Sequence, residues 1–267
     1  MKWLVRMLGG AALLAIASGQ ASDAPQLPQL MECLRSNLPQ RAVAMIGATT
    51  RTARGEATTR EVQLAIRRGR PDLDATLWTL APPELAGVSY LIQHREGTDQ
   101  AYAWLPSIGE VRRIRGSGSE ILGTTLRTDD LRQALTGFSG GAVSLGPAGQ
   151  VHGWPTRRLV ATAATDSAAG YDKVEVEITQ PDCVLVEARL YREGRLRQTV
   201  RAQADSLRRQ GRYRYASVFD VQVPDDNLRT ELRILRLDPE PSLDSRWFDA
   251  SRFFRRPASA APTAARP

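Results

Sequence analysis

Hydrophobic residues in this chain follow two periods, first a helical one and then, for most of its length, a period of two. Leu27, Leu30, Met31, Leu34 and Leu38 fall on one face at helical spacing, and Pro39 stops the pattern. This predicts a short amphipathic helix from about Leu27 to Asn37, with Cys33 inside it. Alternation then takes over. Val62, Leu64 and Ile66 alternate with polar residues, as do Leu73, Ala75 and Leu77 before the break at Pro82-Pro83. Val88 to His94 reads as a further strand, followed by a turn at Glu96 to Asp99. Tyr102 to Leu105 and Val111 to Ile114 flank Pro106-Ser107-Ile108-Gly109 as the arms of a hairpin.

Gly116 to Ser119 reads as a loop, and Thr128 is placed to cap a short helix from Asp129 to Leu135. The five glycines between Gly137 and Gly149 predict a loop or flexible crossing. Strands resume with Trp154 to Ala161, where Pro155 implies an edge position or a late start. Val174, Val176 and Ile178 alternate strictly with charged residues, and Val184 to Leu190 and Leu196 to Ala202 flank a turn at Glu193-Gly194. Tyr213, Tyr215, Phe219, Val221 and Val223 share one parity, and Leu228 to Leu237 holds a similar run. Ser242 is placed to cap a last short helix containing Trp247, Phe248, Phe253 and Phe254. Roughly ten strands joined by short turns predict an antiparallel sheet with a few helices laid against it, a mainly β fold. Periodicity alone does not choose between a sandwich, a closed barrel and a half-open one.

The ends carry other signals. Lys2 and Arg6, the apolar run Leu8 to Ala17 and the small residues Ser18 to Ala21 have the layout of a secretory signal peptide, cleaved after Ala21. The apolar run is about half of what a membrane-spanning helix needs. The expectation is an exported, periplasmic protein, with residues 22–255 as one β-rich domain and a Pro/Ala-rich disordered tail over 256–267. The formal charge is +7, carried almost wholly by arginine, since only Lys2 and Lys173 are lysine. A basic surface favours anionic lipid headgroups. No nucleic-acid motif is present, and nucleic acid is not expected as a partner. In an oxidising compartment the two cysteines, Cys33 and Cys183, are most simply a disulfide, with two free thiols as the alternative reading.

A search for catalytic chemistry returns little. The two histidines, His94 and His152, belong to no spaced ligand set, so no metal is expected. No GxSxG elbow occurs, and Gly116 to Ser119 lacks the ending of a phosphate loop. The chain is therefore expected to be no enzyme and to need no cofactor. The aromatics Trp78, Tyr90, Tyr102, Trp104, Tyr213, Tyr215, Phe219, Trp247 and Phe248 read individually as core residues. Together they could line the concave face of an opened barrel, where non-directional contacts suit an acyl chain.

Several of these residues carry a resemblance. Tyr90-Leu91-Ile92, Asp99, Tyr102, Leu105-Pro106, Gly109 and Val111-Arg112-Arg113-Ile114 resemble a block of the LolA-like outer-membrane lipoprotein-sorting proteins. The block continues as Gly123-Thr124-Thr125-Leu126, Asp130 and Leu131. Upstream, Cys33, Asn37-Leu38-Pro39, Pro82 and Glu84 to Gly87 are similar to that family. Downstream, Asp182-Cys183, Tyr191 and Gly194 match the strand turn where many members carry a second cysteine. Thr125-Leu126 replaces the usual Asp-Phe, Arg127-Thr128 replaces the usual Ser-Tyr, and the second half is looser. The resemblance implies an unclosed antiparallel half-barrel lidded by short helices, binding a lipid, lipoprotein acyl chain or other hydrophobic ligand in an apolar cavity and passing it to a membrane acceptor, beside an inner-membrane transporter. On this reading Trp78, Tyr90, Tyr102, Trp104 and Leu126 are cavity or mouth residues, and Trp247 and Phe248 are lid contacts. Arg112 and Arg113 would meet a headgroup or partner, or else flank a solvated turn. The alternative is a non-catalytic adaptor of an envelope transporter or outer-membrane complex, with the cavity filled by its own side chains.

Overall fold

The computed structural model describes residues 27–69, 72–95, 98–114, 141–163 and 171–256. One helix, α1 (Leu27–Ser36), precedes fifteen strands among these residues. The first group is β1 (Arg41–Arg51), β2 (Ala57–Arg68), β3 (Leu73–Ala81), β4 (Ser89–Arg95), β5 (Thr98–Leu105) and β6 (Glu110–Ile114). The second is β7 (Gly141–Val151), β8 (Trp154–Ala163), β9 (Lys173–Thr179), β10 (Leu185–Arg192) and β11 (Arg195–Ala202). A small hairpin follows, β12 (Leu207–Gln210) with β13 (Tyr213–Ala216), and then β14 (Val218–Val223) and β15 (Leu228–Pro239).

Thirteen strands form one sheet in the order β6-β5-β4-β3-β2-β1-β15-β14-β11-β10-β9-β8-β7, and β12 and β13 form a separate ribbon. Each half of the sheet is a meander, as short hairpin connections favour. The two halves are joined by β1 and β15, paired antiparallel over nearly their whole length. β6 and β7 are the two edges, so the sheet is mainly β, antiparallel and unclosed.

Strand registers separate the two faces, because successive side chains point to opposite sides. One face carries an apolar row in each half of the sheet, the two being separated where Val221 faces Thr230 on β15. In the first half Ala103, Tyr90, Leu77, Leu64, Ala44 and Leu237 are cross-strand neighbours in turn. In the second half the row runs Val221, Val200, Ala188, Val176, Leu159, Leu145. α1 lies on this face. Its Leu30, Met31 and Leu34 are buried against Leu159, Val174, Val176, Ile178 and Leu190. We call it the helix face.

The opposite face differs between the halves. Over β2 to β5 it mixes aromatic and buried polar residues and is covered by the chain after β15, where Trp247, Phe248 and Phe253 pack on Ala65, Trp78 and Leu91. Over β8 to β15 it is charged, and its central row reads Arg158, Glu177, Glu187, Arg201, Asp220, Glu231.

Several local expectations change. The glycine-rich stretch is not a loop from Gly141 onward but the edge strand β7. Its glycines fit because a Cβ at Gly146 would lie 2.9 Å from the Arg158 side chain, and one at Gly149 3.2 Å from Thr156 Oγ1. β1, which had no strict alternation to announce it, is central to the sheet. The run Tyr213 to Val223 is split between the small ribbon and β14. The last helix is a 3₁₀ turn, Ser245–Phe248, and its cap is Asp244, whose carboxylate accepts the Arg246 N–H at 2.9 Å. The expected signal peptide, the Gly116 to Ser119 loop, the Asp129 to Leu135 helix and the tail beyond Arg256 lie outside the described residues.

Candidate functional site

Five of the aromatic residues singled out in the sequence converge in one cluster. Trp78, Tyr102 and Trp104 stand on the face opposite α1, and Trp247 and Phe248 come down on them from the chain after β15. Trp78 meets Trp247 edge-to-face with ring centroids 5.5 Å apart, and Trp104 stacks on Phe254 at 3.9 Å. Three side chains of the sheet bind main-chain carbonyls of the covering segment. Thr76 Oγ1 donates to Trp247 at 2.6 Å, Trp78 Nε1 to Phe253 at 2.8 Å, and Gln93 Nε2 to Phe248 at 3.1 Å. Asp74, buried beneath, takes the guanidinium groups of Arg67 and Arg95 at 2.6 and 2.9 Å. Arg67 in turn lies over the Phe248 ring at 4.6 Å. These rings fill one another's space.

Tyr90 is elsewhere. It lies on the helix face, half-buried beside Val62, Leu64, Leu77 and Ile92. Arg112 and Arg113 are exposed on edge strand β6, opposite Ala103 and Tyr102, and so point to different faces. Leu126 lies outside the described residues.

The helix face is covered unevenly. α1 packs over β8, β9 and β10, where Val176 and Ile178 are fully enclosed. Between that cluster and the one on β2 to β4 lie Ile46, Leu232, Ile234 and Leu237, and these apolar side chains remain half-exposed. They form a strip on the two strands that join the halves of the sheet.

The helix is tied down at its far end. Cys33 and Cys183 form a disulfide with Cα atoms 5.8 Å apart, across a sequence separation of 150. Asn37, just beyond the helix, donates its amide to the Arg214 carbonyl at 2.8 Å and accepts the Arg214 N–H at 2.8 Å. Helix, disulfide turn and the β12–β13 ribbon are thus one connected unit.

The pairing and burial of carboxylates on the charged face is a feature that sequence reasoning missed. Glu187 is 1% exposed and is held by both Arg189 and Arg201, while Glu177, 4% exposed, takes Arg158 at 2.7 Å and Thr156 Oγ1 at 2.7 Å. Burial raises the Glu175 carboxyl, but bonds from Lys173 and Tyr191 outweigh that and hold it below its ordinary value. Beside this network lies a cleft of about 500 Å³ lined by His152, Arg189, Thr199, Arg201, Gln203 and Asp220 among others. Strict alternation of charge with Val174, Val176 and Ile178 did signal a polar face. It could not signal that these carboxylates would be paired and enclosed. His94 Nδ1 lies 2.6 Å from Asp99, and His152 packs edge-on to Trp154. Among the described residues no group of three His, Cys, Asp or Glu side chains could hold a metal ion, and no helix is long and apolar enough to cross a membrane.

A family model of uncharacterized-protein-like sequences matches residues 72–255, from β3 through the covering segment. The chain belongs to that family. No curated protein matches it in sequence. Its fold is the LolA-like one. A domain described as that of an outer membrane lipoprotein-sorting protein from Vibrio parahaemolyticus superposes with a TM-score of 0.74 at 18% identity, covering 84% of this chain and 98% of its own. A DUF1329 family protein from Desulfovibrio piger gives 0.76 at 17% identity, with 85% and 99% covered. A LolA superfamily protein from Nitrosomonas europaea gives 0.68 at 17% identity, with 85% and 98% covered. The LolA-like fold accounts for the open sheet and for a helix laid across one of its faces.

Proposed function

We propose that this LolA-like protein is a periplasmic carrier that binds a lipid or lipoprotein acyl chain along the helix face and passes it to a membrane acceptor. One observation supports this above the rest: the apolar row on that face continues past α1 onto the half-exposed strip of Ile46, Leu232, Ile234 and Leu237. A buried methylene contributes about 0.8 kcal/mol, so a long acyl chain laid there supplies ample affinity without directional contacts. The reading is one of binding without chemistry. The neighbour described as an outer membrane lipoprotein-sorting protein has this fold, and its description suggests the cargo class. The aromatic cluster of Trp78, Tyr102 and Trp104 is then structural, and the ligand belongs on the other side of the sheet.

The test is native mass spectrometry of the mature protein from its own envelope, followed by extraction and lipid analysis. A stoichiometric lipid or acylated species that is lost in Ile234→Glu but kept in Tyr102→Gln, with both variants folded, is the expected result. A clean apoprotein that takes up no fluorescent fatty acid would overturn the carrier reading. The adaptor reading draws on the filled aromatic cluster, where the chain's own Phe253 and Phe254 occupy the space beside Trp104. It would gain if the apoprotein instead co-purified with a transporter.

A further inference from the structure

The β12–β13 ribbon stands outside the main sheet and concentrates positive charge. Within seven residues it carries Arg208, Arg209, Arg212 and Arg214, all exposed. Arg209 and Arg214 are directly opposite across the ribbon, a like-charge pairing that disfavours the hairpin unless an anion offsets it. Only Arg214 has a carboxylate partner, Asp182. Arg208 donates to the carbonyls of Asp205 and Leu207 at 2.7 and 2.8 Å, Arg209 to that of Gly211 at 2.8 Å, and Arg212 to the Tyr213 hydroxyl at 2.8 Å. No carboxylate of the described residues lies within ion-pair distance of these three. On the sheet itself Arg67, Arg95, Arg158, Arg189 and Arg201 are by contrast each paired to a carboxylate.

The ribbon is also firmly held. Tyr213 is buried and donates its hydroxyl to Glu240 at 2.8 Å, and the Asn37–Arg214 pair of hydrogen bonds fixes the same strand, β13, to the end of α1. Charge is therefore presented on a braced surface, attached to the helix that borders the apolar strip.

We infer that the β12–β13 ribbon is a docking surface for an anionic bilayer. Arg208, Arg209 and Arg212 are exposed and spread along a two-stranded ribbon. A laterally mobile layer of phosphodiester headgroups can meet all three at once, and each arginine near such a surface contributes about 1 kcal/mol. Tyr215, half-buried and opposite Arg208, adds a side chain suited to the headgroup level. Docking by this ribbon brings the end of α1 to the membrane, where a cargo leaving the helix face would cross the least water. The inference deepens the carrier reading but is tested apart from it.

The experiment is vesicle co-sedimentation of delipidated full-length mature protein, with phosphatidylglycerol/phosphatidylcholine vesicles and with phosphatidylcholine alone. Binding is expected to the anionic vesicles only and to fall steeply with salt. Arg208→Gln/Arg209→Gln/Arg212→Gln should weaken partitioning by on the order of 100-fold. The control Arg51→Gln/Arg54→Gln/Arg229→Gln, at exposed arginines away from the ribbon, should retain most of it, and the lysine triple at 208, 209 and 212 should restore it. Fatty-acid uptake by the hairpin variant should be unchanged, which separates loss of docking from loss of carriage or of fold. Equal loss in the control variant would overturn the inference, as would absence of binding to anionic vesicles. Displacement by millimolar glycerol phosphate would reassign the arginines to a soluble phosphate ligand.

Discussion

The indole N–H of Trp78 donates to the main-chain carbonyl of Phe253 across 2.8 Å, joining strand β3 to a segment 175 residues later. Trp78 is 2% exposed and Phe253 is fully enclosed, so neither group has water as a substitute partner. The bond fixes where the final segment lies on the sheet. The aromatic rings on either side then supply the buried area that holds it there.

Truncating Phe253 to alanine should lower unfolding stability by about 3–5 kcal/mol, the usual cost of removing a fully buried phenyl ring. Trp78→Phe keeps most of the ring contacts but leaves the Phe253 carbonyl unsatisfied, and should cost about 1–3 kcal/mol. Urea unfolding followed by far-ultraviolet circular dichroism measures both. If either variant unfolds at the wild-type midpoint, the segment is not anchored as described.

The disulfide gives a second expectation. Cys33 and Cys183 close a loop of 150 residues, for which chain entropy alone gives about 5 kcal/mol, an upper figure in practice. Cys33→Ala/Cys183→Ala should therefore lose about 2–5 kcal/mol. The loss should be local at first, because α1 rests on the sheet through only three fully or nearly buried side chains, Leu30, Met31 and Leu34. Hydrogen exchange should show α1 amides losing protection in the variant while β9 and β10 keep theirs. Uniform loss across the sheet would mean that the helix is not a separable element.

How far the sequence could be read depended on which interactions are local. Val174, Val176 and Ile178 announce their strand because one face is buried and the other charged, a signal contained in seven residues. The helix over Leu27–Ser36 was equally legible from its apolar stripe. β1 was not, since its alanines, threonines and Gly47 give no clean alternation, and its place is set by partners on both sides. The aromatic residues raised a different difficulty. Tyr102 and Trp104 share a parity within β5, which is legible, but that Trp78 on β3 joins their face and Tyr90 the other is set by cross-strand register. What was not legible is that Phe253 and Phe254 return to fill the gap, because nothing local to either segment encodes that docking.

Edge strand β7 offers a test of the same point. Gly146 lies against the stem of Arg158, whose guanidinium holds Glu177 at 2.7 Å. A side chain at 146 would meet the Cβ and Cγ of Arg158 rather than its flexible end. Gly146→Val should therefore destabilise the protein by about 1–3 kcal/mol, as overpacking does. Gly55, whose Cβ position has open space within 4 Å, is unsuitable as a comparison because its φ of +83° itself favours glycine. Gly47→Ala, with only the Leu235 side chain at 3.7 Å, is the better control and should change the urea midpoint little. A neutral Gly146→Val would show that Arg158 is free to leave Glu177.

Glu240 links the ribbon to the start of the sheet and makes that link sensitive to acid. Burial acts to raise its carboxyl pKa, but hydrogen bonds from the Tyr213 hydroxyl, the Gln40 N–H and the Arg41 guanidinium outweigh burial and hold it below the ordinary value. A carboxyl depressed in the folded state contributes stability that is fully present above its unfolded pKa, roughly 4.3, and is lost as pH falls through the lower folded value. Glu240→Gln should thus be less stable than wild type near neutral pH, and the difference should shrink as both are acidified below about pH 4. Urea midpoints measured across that range check the slope. A constant stability gap down to the lowest pH would mean that Glu240 contributes through packing and not through its charge.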